Sequence, residues 1–277
     1  MSQTETKPDI QLEAKSESGQ LRIRQQGEGK DLVLLHGWGL NSGVFDLLLH
    51  ELVGHYRVTL VDLPGYGINN DILPETYDLA SVAHMVEQVL PHQCILLGWS
   101  LGGLVAQRVA LDFPDRIQKL ILVASSPKFA AEEAVEDKEL WPGILPHILE
   151  AFKNQLQSTY SKTLDRFMAI QAMGSKSARS DIATIRDAVS VYPEPHYHAL
   201  EKGLDILLNI DLRAELVSLG IPTVRMYGKL DSLVPKKAID NISSHHPDSH
   251  SVIFAKASHA PFISHPEEFI QELFNHL

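Results

Sequence analysis

Through residues 21–126 the chain alternates between two kinds of apolar pattern. Short runs rich in Leu, Val and Ile, at 21–25, 32–35, 56–62, 95–98 and 119–123, have the length and composition of strands. Between them, at 44–52, 79–90 and 101–113, the pattern reads as helical. Strand and helix in alternation predict a parallel sheet with helices on both faces. The alternation stops near residue 127. Amphipathic helical patterns then follow one another at 144–155, 159–172, 177–191 and 195–209, punctuated by Pro142, Pro146, Pro193 and Pro195. Strand patterns resume at 223–228 and 251–254. The reading is an α/β core over 21–126 and 204–277, interrupted by a helical insertion over 127–203. Such an insertion sits over the carboxyl ends of the strands as a lid that shapes a pocket and excludes water. Residues 1–20 are polar and charged and read as a flexible extension.

Chemistry enters where strands end. After the apolar run at 94–97 stands Gly98-Trp99-Ser100-Leu101-Gly102, and a helical pattern follows directly. Strand, sharp turn and helix around G-x-S-x-G are the setting of a nucleophile elbow. The turn forces the serine into a strained backbone, so Gly98 and Gly102 leave room beside it. A glycine-rich turn with a helix-capping serine has the same letters, so two further segments matter. Asp231 follows the strand at 223–228, and His259 follows the strand at 251–254. The order Ser100, Asp231, His259 is that of the α/β-hydrolases.

A serine hydroxyl needs a base to take its proton as it attacks. His259 is assigned that role, and Asp231 would hold the ring and stabilise the imidazolium. An oxyanion needs donors. The backbone N–H of Leu101 is one, and the N–H of Trp38, in His36-Gly37-Trp38-Gly39 after the strand at 32–35, is the other.

Composition narrows the setting. The 277 residues are 44% hydrophobic and 21% charged, ordinary for a soluble globular protein. Net charge is −11, which argues against nucleic-acid binding. The one cysteine, Cys94, excludes an intramolecular disulfide framework. No apolar stretch suits a signal peptide or a membrane span, so cytoplasm is the default and no membrane partner is expected. Among 14 histidines, His245, His246 and His250 are the densest group and read as solvent-exposed loop residues. No metal motif is present, and neither metal nor cofactor is expected. Between Lys153 and Arg186, inside the insertion, the charge reverses: Lys153, Lys162, Arg166, Lys176, Arg179 and Arg186 oppose Asp165 and Asp181, six against two. That bias suits an acidic partner, or is simply a solvated helix surface.

Longer stretches carry a resemblance: LVLLHGWGLN (32–41), VDLPGYG (61–67), LGWSLGGLVA (97–106), LVASSP (122–127), WPGI (141–144), YGKLDSLVP (227–235) and FAKASHAPFISHP (254–266). Together they resemble the pimeloyl-[acyl-carrier protein] methyl ester esterases of biotin synthesis. The resemblance implies an α/β-hydrolase fold with an inserted helical lid, and a serine carboxylesterase that removes the methyl group from the carrier-bound ester. It implies catalysis by Ser100, Asp231 and His259, and substrate contacts at Trp38, Ser100, Leu101, Phe167, Met168, Ala169, Ile170, Gln171 and His259. It implies docking of the acidic acyl carrier protein at Lys162, Arg166 and Arg179. Ala183 departs from the family's arginine at a fourth docking position. A monomer is expected. The alternatives on the same fold are a general short-chain carboxylesterase, another lidded hydrolase such as a C–C bond hydrolase, or a slow-turnover ligand receptor.

Overall fold

A computed structural model of the protein describes residues 12–13, 19–132, 140–156, 160–173 and 176–277. Its strands are β1 (Leu12–Glu13), β2 (Ile23–Gln26), β3 (Lys30–Leu35), β4 (Tyr56–Val61), β5 (Cys94–Trp99), β6 (Ile117–Val123), β7 (Thr223–Gly228) and β8 (His250–Phe254). They form one sheet in the order β1-β2-β4-β3-β5-β6-β7-β8. The β1–β2 and β2–β4 pairings are antiparallel and the others parallel. Every residue of β5 and β7 is buried. That explains why β5 reads as an unbroken apolar run, since helices cover both faces of a parallel sheet, whereas β7 carries Thr223 and Arg225 into the same burial. Cys94 opens β5, where burial pushes its thiol up to about 12, so it stays protonated.

Helices α1 (Asp46–Leu52), α2 (Leu79–Glu87) and α3 (Leu101–Asp112) lie between strands of the first half. Helices α4 (Pro146–Leu156), α5 (Tyr160–Gln171), α6 (Ala178–Val189) and α7 (Tyr197–Asn209) are inserted between β6 and β7. The chain ends with α8 (Lys236–His245), α9 (Pro261–Ser264) and α10 (Pro266–His276). Two buried clusters divide the core. One joins apolar side chains of α2, α3 and α8 to one face of the sheet and continues into the inserted helices. The other joins α1 and α10 to the opposite face. No helix among the described residues is long and apolar enough to cross a membrane.

The structure departs from the sequence reading at several points. The helix expected over 44–52 begins as a 3₁₀ turn, Ser42–Phe45, capped by the Asn41 side chain, which accepts from the N–H of Gly43 (3.0 Å). Most of the expected extension, residues 1–11 and 14–18, lies outside the described residues, but Leu12–Glu13 pairs with β2 as an edge strand. His246 is not a solvent-exposed loop histidine. Arg225 on β7 is fully buried, and its Nη2 donates to His246 Nδ1 (3.0 Å), which draws that ring inside. His245 is half-buried at the end of α8 with its ring edge-on to Trp141, and His250, although exposed, opens strand β8 rather than standing in a loop.

Candidate active site

Ser100 sits at the sharp turn between β5 and α3, with φ 56° and ψ −119°. Such a backbone is uncommon outside glycine and strained by about 1–3 kcal/mol, so its surroundings must hold it. They do so with hydrogen bonds. The Ser100 N–H donates to the carbonyl of Val123 (3.0 Å), and its carbonyl accepts from the N–H of Gly103 (3.0 Å) and the hydroxyl of Ser125 (2.9 Å). The flanking glycines are required by close approach. A Cβ on Gly98 would collide with the carbonyl of Gly102 and the Cα of Gly103, and one on Gly102 would collide with the carbonyls of Leu35 and His36.

Asp231 lies in the loop after β7, and His259 in the loop after β8. His259 Nε2 is 2.9 Å from Ser100 Oγ, and Nδ1 is 2.8 Å from Asp231 Oδ2. The other oxygen of Asp231, Oδ1, accepts from the N–H groups of Leu233 (2.8 Å) and Val234 (3.1 Å). All three side chains are buried. An ionised carboxylate accepts only, so Nδ1 carries the ring proton and Nε2 is left to accept from the serine hydroxyl. The arrangement can move a proton off Ser100 and return it to a leaving group.

The loop after β3 packs directly on the elbow: a Cβ on Gly37 would stand 3.2 Å from Ser100 Cβ. His36 shapes this loop. Its Nε2 accepts from the N–H of Leu63 (3.0 Å), so Nδ1 bears the proton and donates to the carbonyl of Gly37 (2.8 Å). Full burial pushes this imidazole below its ordinary pKa, only partly opposed by Asp62. Asp62 is buried too, and accepts from the N–H groups of Ser42 (2.6 Å) and Ile68 (2.8 Å). The N–H groups of Trp38 and Leu101 find no hydrogen-bond partner among the described residues. Buried, unpaired backbone donors are rare and call for a partner. The Trp38 indole is locked by the insertion: Nε1 donates to the carbonyl of Leu200 on α7 (2.9 Å), and Phe167 of α5 meets the ring edge-on, centroids 4.6 Å apart.

Of the residues expected to contact substrate on α5, Phe167, Met168 and Gln171 are buried, Ile170 is half-buried and Ala169 faces solvent. The C-terminal end of α5 reaches the His259 loop. The N–H of His259 donates to the carbonyl of Gln171 (3.1 Å), and the hydroxyl of Ser258 to that of Met173 (2.8 Å). Ser258, Ser125 and Trp99, whose indole donates to the carbonyl of His259 (2.8 Å), escaped sequence reasoning. Trp99 fills the variable position of the motif, and nothing in the sequence marks the two serines.

The basic cluster of the insertion is partly neutralised. Lys153 pairs with Asp205 on α7, and Arg186 with Asp165. Arg166 lies over the ring of Phe152 and donates to Gln155. Lys162, Arg166 and Arg179 are exposed and form no ion pair among the described residues.

Residues 31–266 match the family model of the alpha/beta hydrolase fold. Proteins named pimeloyl-[acyl-carrier protein] methyl ester esterase are similar to most of the chain. The one from Aeromonas salmonicida is 49% identical over 90% of this chain and 96% of its own. The one from Pseudoalteromonas atlantica is 50% identical over 91% and 96%. Among solved structures, an esterase from Exiguobacterium antarcticum superposes with a TM-score of 0.79 at 24% identity, covering 96% of this chain and 97% of that one. An enol-lactonase from Burkholderia xenovorans does so with a TM-score of 0.79 at 16% identity, covering 92% and 95%. These likenesses extend to the fold. The chain belongs to the α/β-hydrolase fold family and, within it, to the pimeloyl-[acyl-carrier protein] methyl ester esterases.

Proposed function

We propose that the protein hydrolyses the methyl ester of pimeloyl-[acyl-carrier protein], giving pimeloyl-[acyl-carrier protein] and methanol, with Ser100 as nucleophile, His259 as general base and acid, and Asp231 as its partner. The observation that carries the chemistry is the hydrogen-bonded chain from Ser100 Oγ through His259 to Asp231. The substrate follows from the family.

Ser100 Oγ attacks the ester carbonyl carbon while its proton passes to His259 Nε2. The carbonyl oxygen becomes an oxyanion, received by the N–H groups of Trp38 and Leu101. One such donor is typically worth about 3 kcal/mol in the transition state. Collapse expels the methoxy group, which takes the proton from Nε2 and leaves as methanol. Water, deprotonated by the same nitrogen, then attacks the acyl-enzyme and frees the pimeloyl carboxylate. Phe167, Met168 and Gln171 wall the acyl pocket. Lys162, Arg166 and Arg179 receive the acidic carrier, so that its acyl arm presents the distal methyl ester to Ser100.

The test is growth without biotin in a strain lacking this esterase. The intact protein should restore it and Ser100→Ala should not, with purified Ser100→Ala folded and reduced about 10⁴-fold or more in ester hydrolysis. Near-normal turnover by Ser100→Ala would overturn the nucleophile. Esterase activity without rescue would overturn the substrate.

A further inference from the structure

The backbone of His259 is gripped from two sides. Its carbonyl accepts the indole N–H of Trp99 (2.8 Å), which belongs to the strand that ends at Ser100. Its N–H donates to the carbonyl of Gln171 (3.1 Å), the last residue of α5. One residue earlier the Ser258 hydroxyl donates to the carbonyl of Met173 (2.8 Å). The last carbonyls of a helix lack partners within it, so the end of α5 offers acceptors and the His259 loop supplies donors. Core and insertion thus meet at the residue that carries the imidazole.

Trp99 does more than donate one bond. Its ring is fully buried, lies 5.8 Å from the His259 ring and packs edge-on against Phe262, centroids 5.0 Å apart. Its benzo edge abuts the loop after β3: a Cβ on Gly37 would stand 3.2 Å from Cε3 and 3.3 Å from Cζ3. One side chain therefore spaces the loop bearing Trp38 from the loop bearing His259, and it is the immediate neighbour of Ser100.

We propose that Trp99 and Ser258 are positioning residues for the general base: Trp99 ties His259 to the nucleophile strand, and Ser258 ties the same loop to the turn that follows α5. The proposal rests on the reading of Ser100, His259 and Asp231 as the triad. Proton transfer from Oγ to Nε2, and then to the leaving group, needs the imidazole held in one place. A displacement of about 1 Å can cost up to about 100-fold in rate. Loss of the indole donor leaves a buried carbonyl unpaired, and the loop is then free to move toward another donor.

Three variants of the full chain test this: Trp99→Phe, Ser258→Ala and Ser258→Thr. Functional sites are counted by titration with a phosphonofluoridate, and kcat per titrated site and KM are measured on p-nitrophenyl butyrate. Trp99→Phe should lower kcat per site about 10-fold, with KM within about twofold. Ser258→Ala should lower it about threefold, and Ser258→Thr, which keeps the hydroxyl, should restore it. A residue that only supports the fold would reduce the number of titrated sites and the Tm while turnover per site stayed at the wild-type value, and that result overturns the proposal. Equal rates for Ser258→Ala and Ser258→Thr overturn the part assigned to Ser258. If Trp99→Phe does not fold, benzothienylalanine at position 99 has the indole's shape without its N–H and reads the same bond. Wild-type turnover by Ser100→Ala sinks the triad instead, a result separable from all of these.

Discussion

Asp231 divides its two oxygens between two tasks. Oδ1 is committed to the N–H groups of Leu233 and Val234, and Oδ2 faces His259 Nδ1. In Asp231→Asn the two backbone donors require the amide oxygen on their side, which turns the NH₂ toward Nδ1. An imidazole facing a donor must accept at Nδ1, so its proton moves to Nε2. That tautomer cannot take the proton of Ser100. We expect Asp231→Asn to stay folded and lose about 10⁴-fold in kcat. Stopped assays on p-nitrophenyl butyrate measure the loss. Retention of more than about a tenth of the wild-type rate would mean that Asp231 does not set the tautomer. The triad was legible from sequence because each member stands just past a strand end, and strands announce themselves by apolar runs. Trp99, Ser125 and Ser258 were not. The bonds of Trp99 and Ser258 join positions 160 and 85 residues apart. The Ser125 hydroxyl bonds to a backbone carbonyl 25 residues away. Periodicity and motif spacing carry no trace of such pairings.

At the scale of elements, the alternating pattern predicted β2 to β6 and the four inserted helices, with ends displaced by a few residues. It left α8 and α10 undrawn. In α8 the buried apolar positions Ala238, Ile239 and Ile242 fall on one face at helical spacing, so this helix was legible in the pattern although it is short and otherwise polar. The α10 helix opens on Pro266 with Glu267 and Glu268 in its first turn, a start signal that follows directly on the histidine loop. The inserted helices carry the next prediction. Lys162 and Arg166 stand one turn apart on α5, and Arg179 opens α6. Each exposed charge contributes only about 0.2–1 kcal/mol to docking, so single changes are mild. Replacing Arg166 and Arg179 together by Glu should raise KM for the carrier-bound ester, mainly by slowing association, and the defect should shrink as salt screens it. Hydrolysis of a small free ester should be unchanged, because that substrate does not meet the docking face. Equal losses on both substrates would make the pair structural. No loss on either would place carrier docking elsewhere.

At the scale of the whole molecule, two buried histidines tie stability to pH. His36 is held neutral chiefly by burial, accepting from the N–H of Leu63 and donating to the carbonyl of Gly37. His246 is held below its ordinary pKa by burial first, and then by the guanidinium of Arg225, which donates to its Nδ1. In the unfolded chain both titrate near 6.5. Below that pH the unfolded state binds more protons than the folded one, so stability falls as pH falls. The contribution is fully present above about pH 6.5 and is lost progressively as pH drops toward the folded-state pKa values. The net charge of −11 works the other way, since acid relieves repulsion among surplus carboxylates. Those charges are spread over a surface of 13299 Å² and screened within about 8 Å at physiological ionic strength, whereas the two rings are sealed from salt. Asp46, whose half-buried carboxyl is raised above its ordinary value chiefly by burial, also favours the folded state as pH falls through that raised pKa, but it is a single group. Two sealed imidazoles therefore outweigh one half-buried carboxyl and a screened surface as pH falls below about 6.5. Thermal unfolding in 0.15 M salt should give a Tm that is level from pH 8 to 7 and falls toward pH 5. His246→Gln, which can still accept from Arg225, should flatten part of that slope at little loss of Tm at pH 8. A Tm that rises on acidification would show that surface repulsion, and not the buried imidazoles, governs the acid side of this fold.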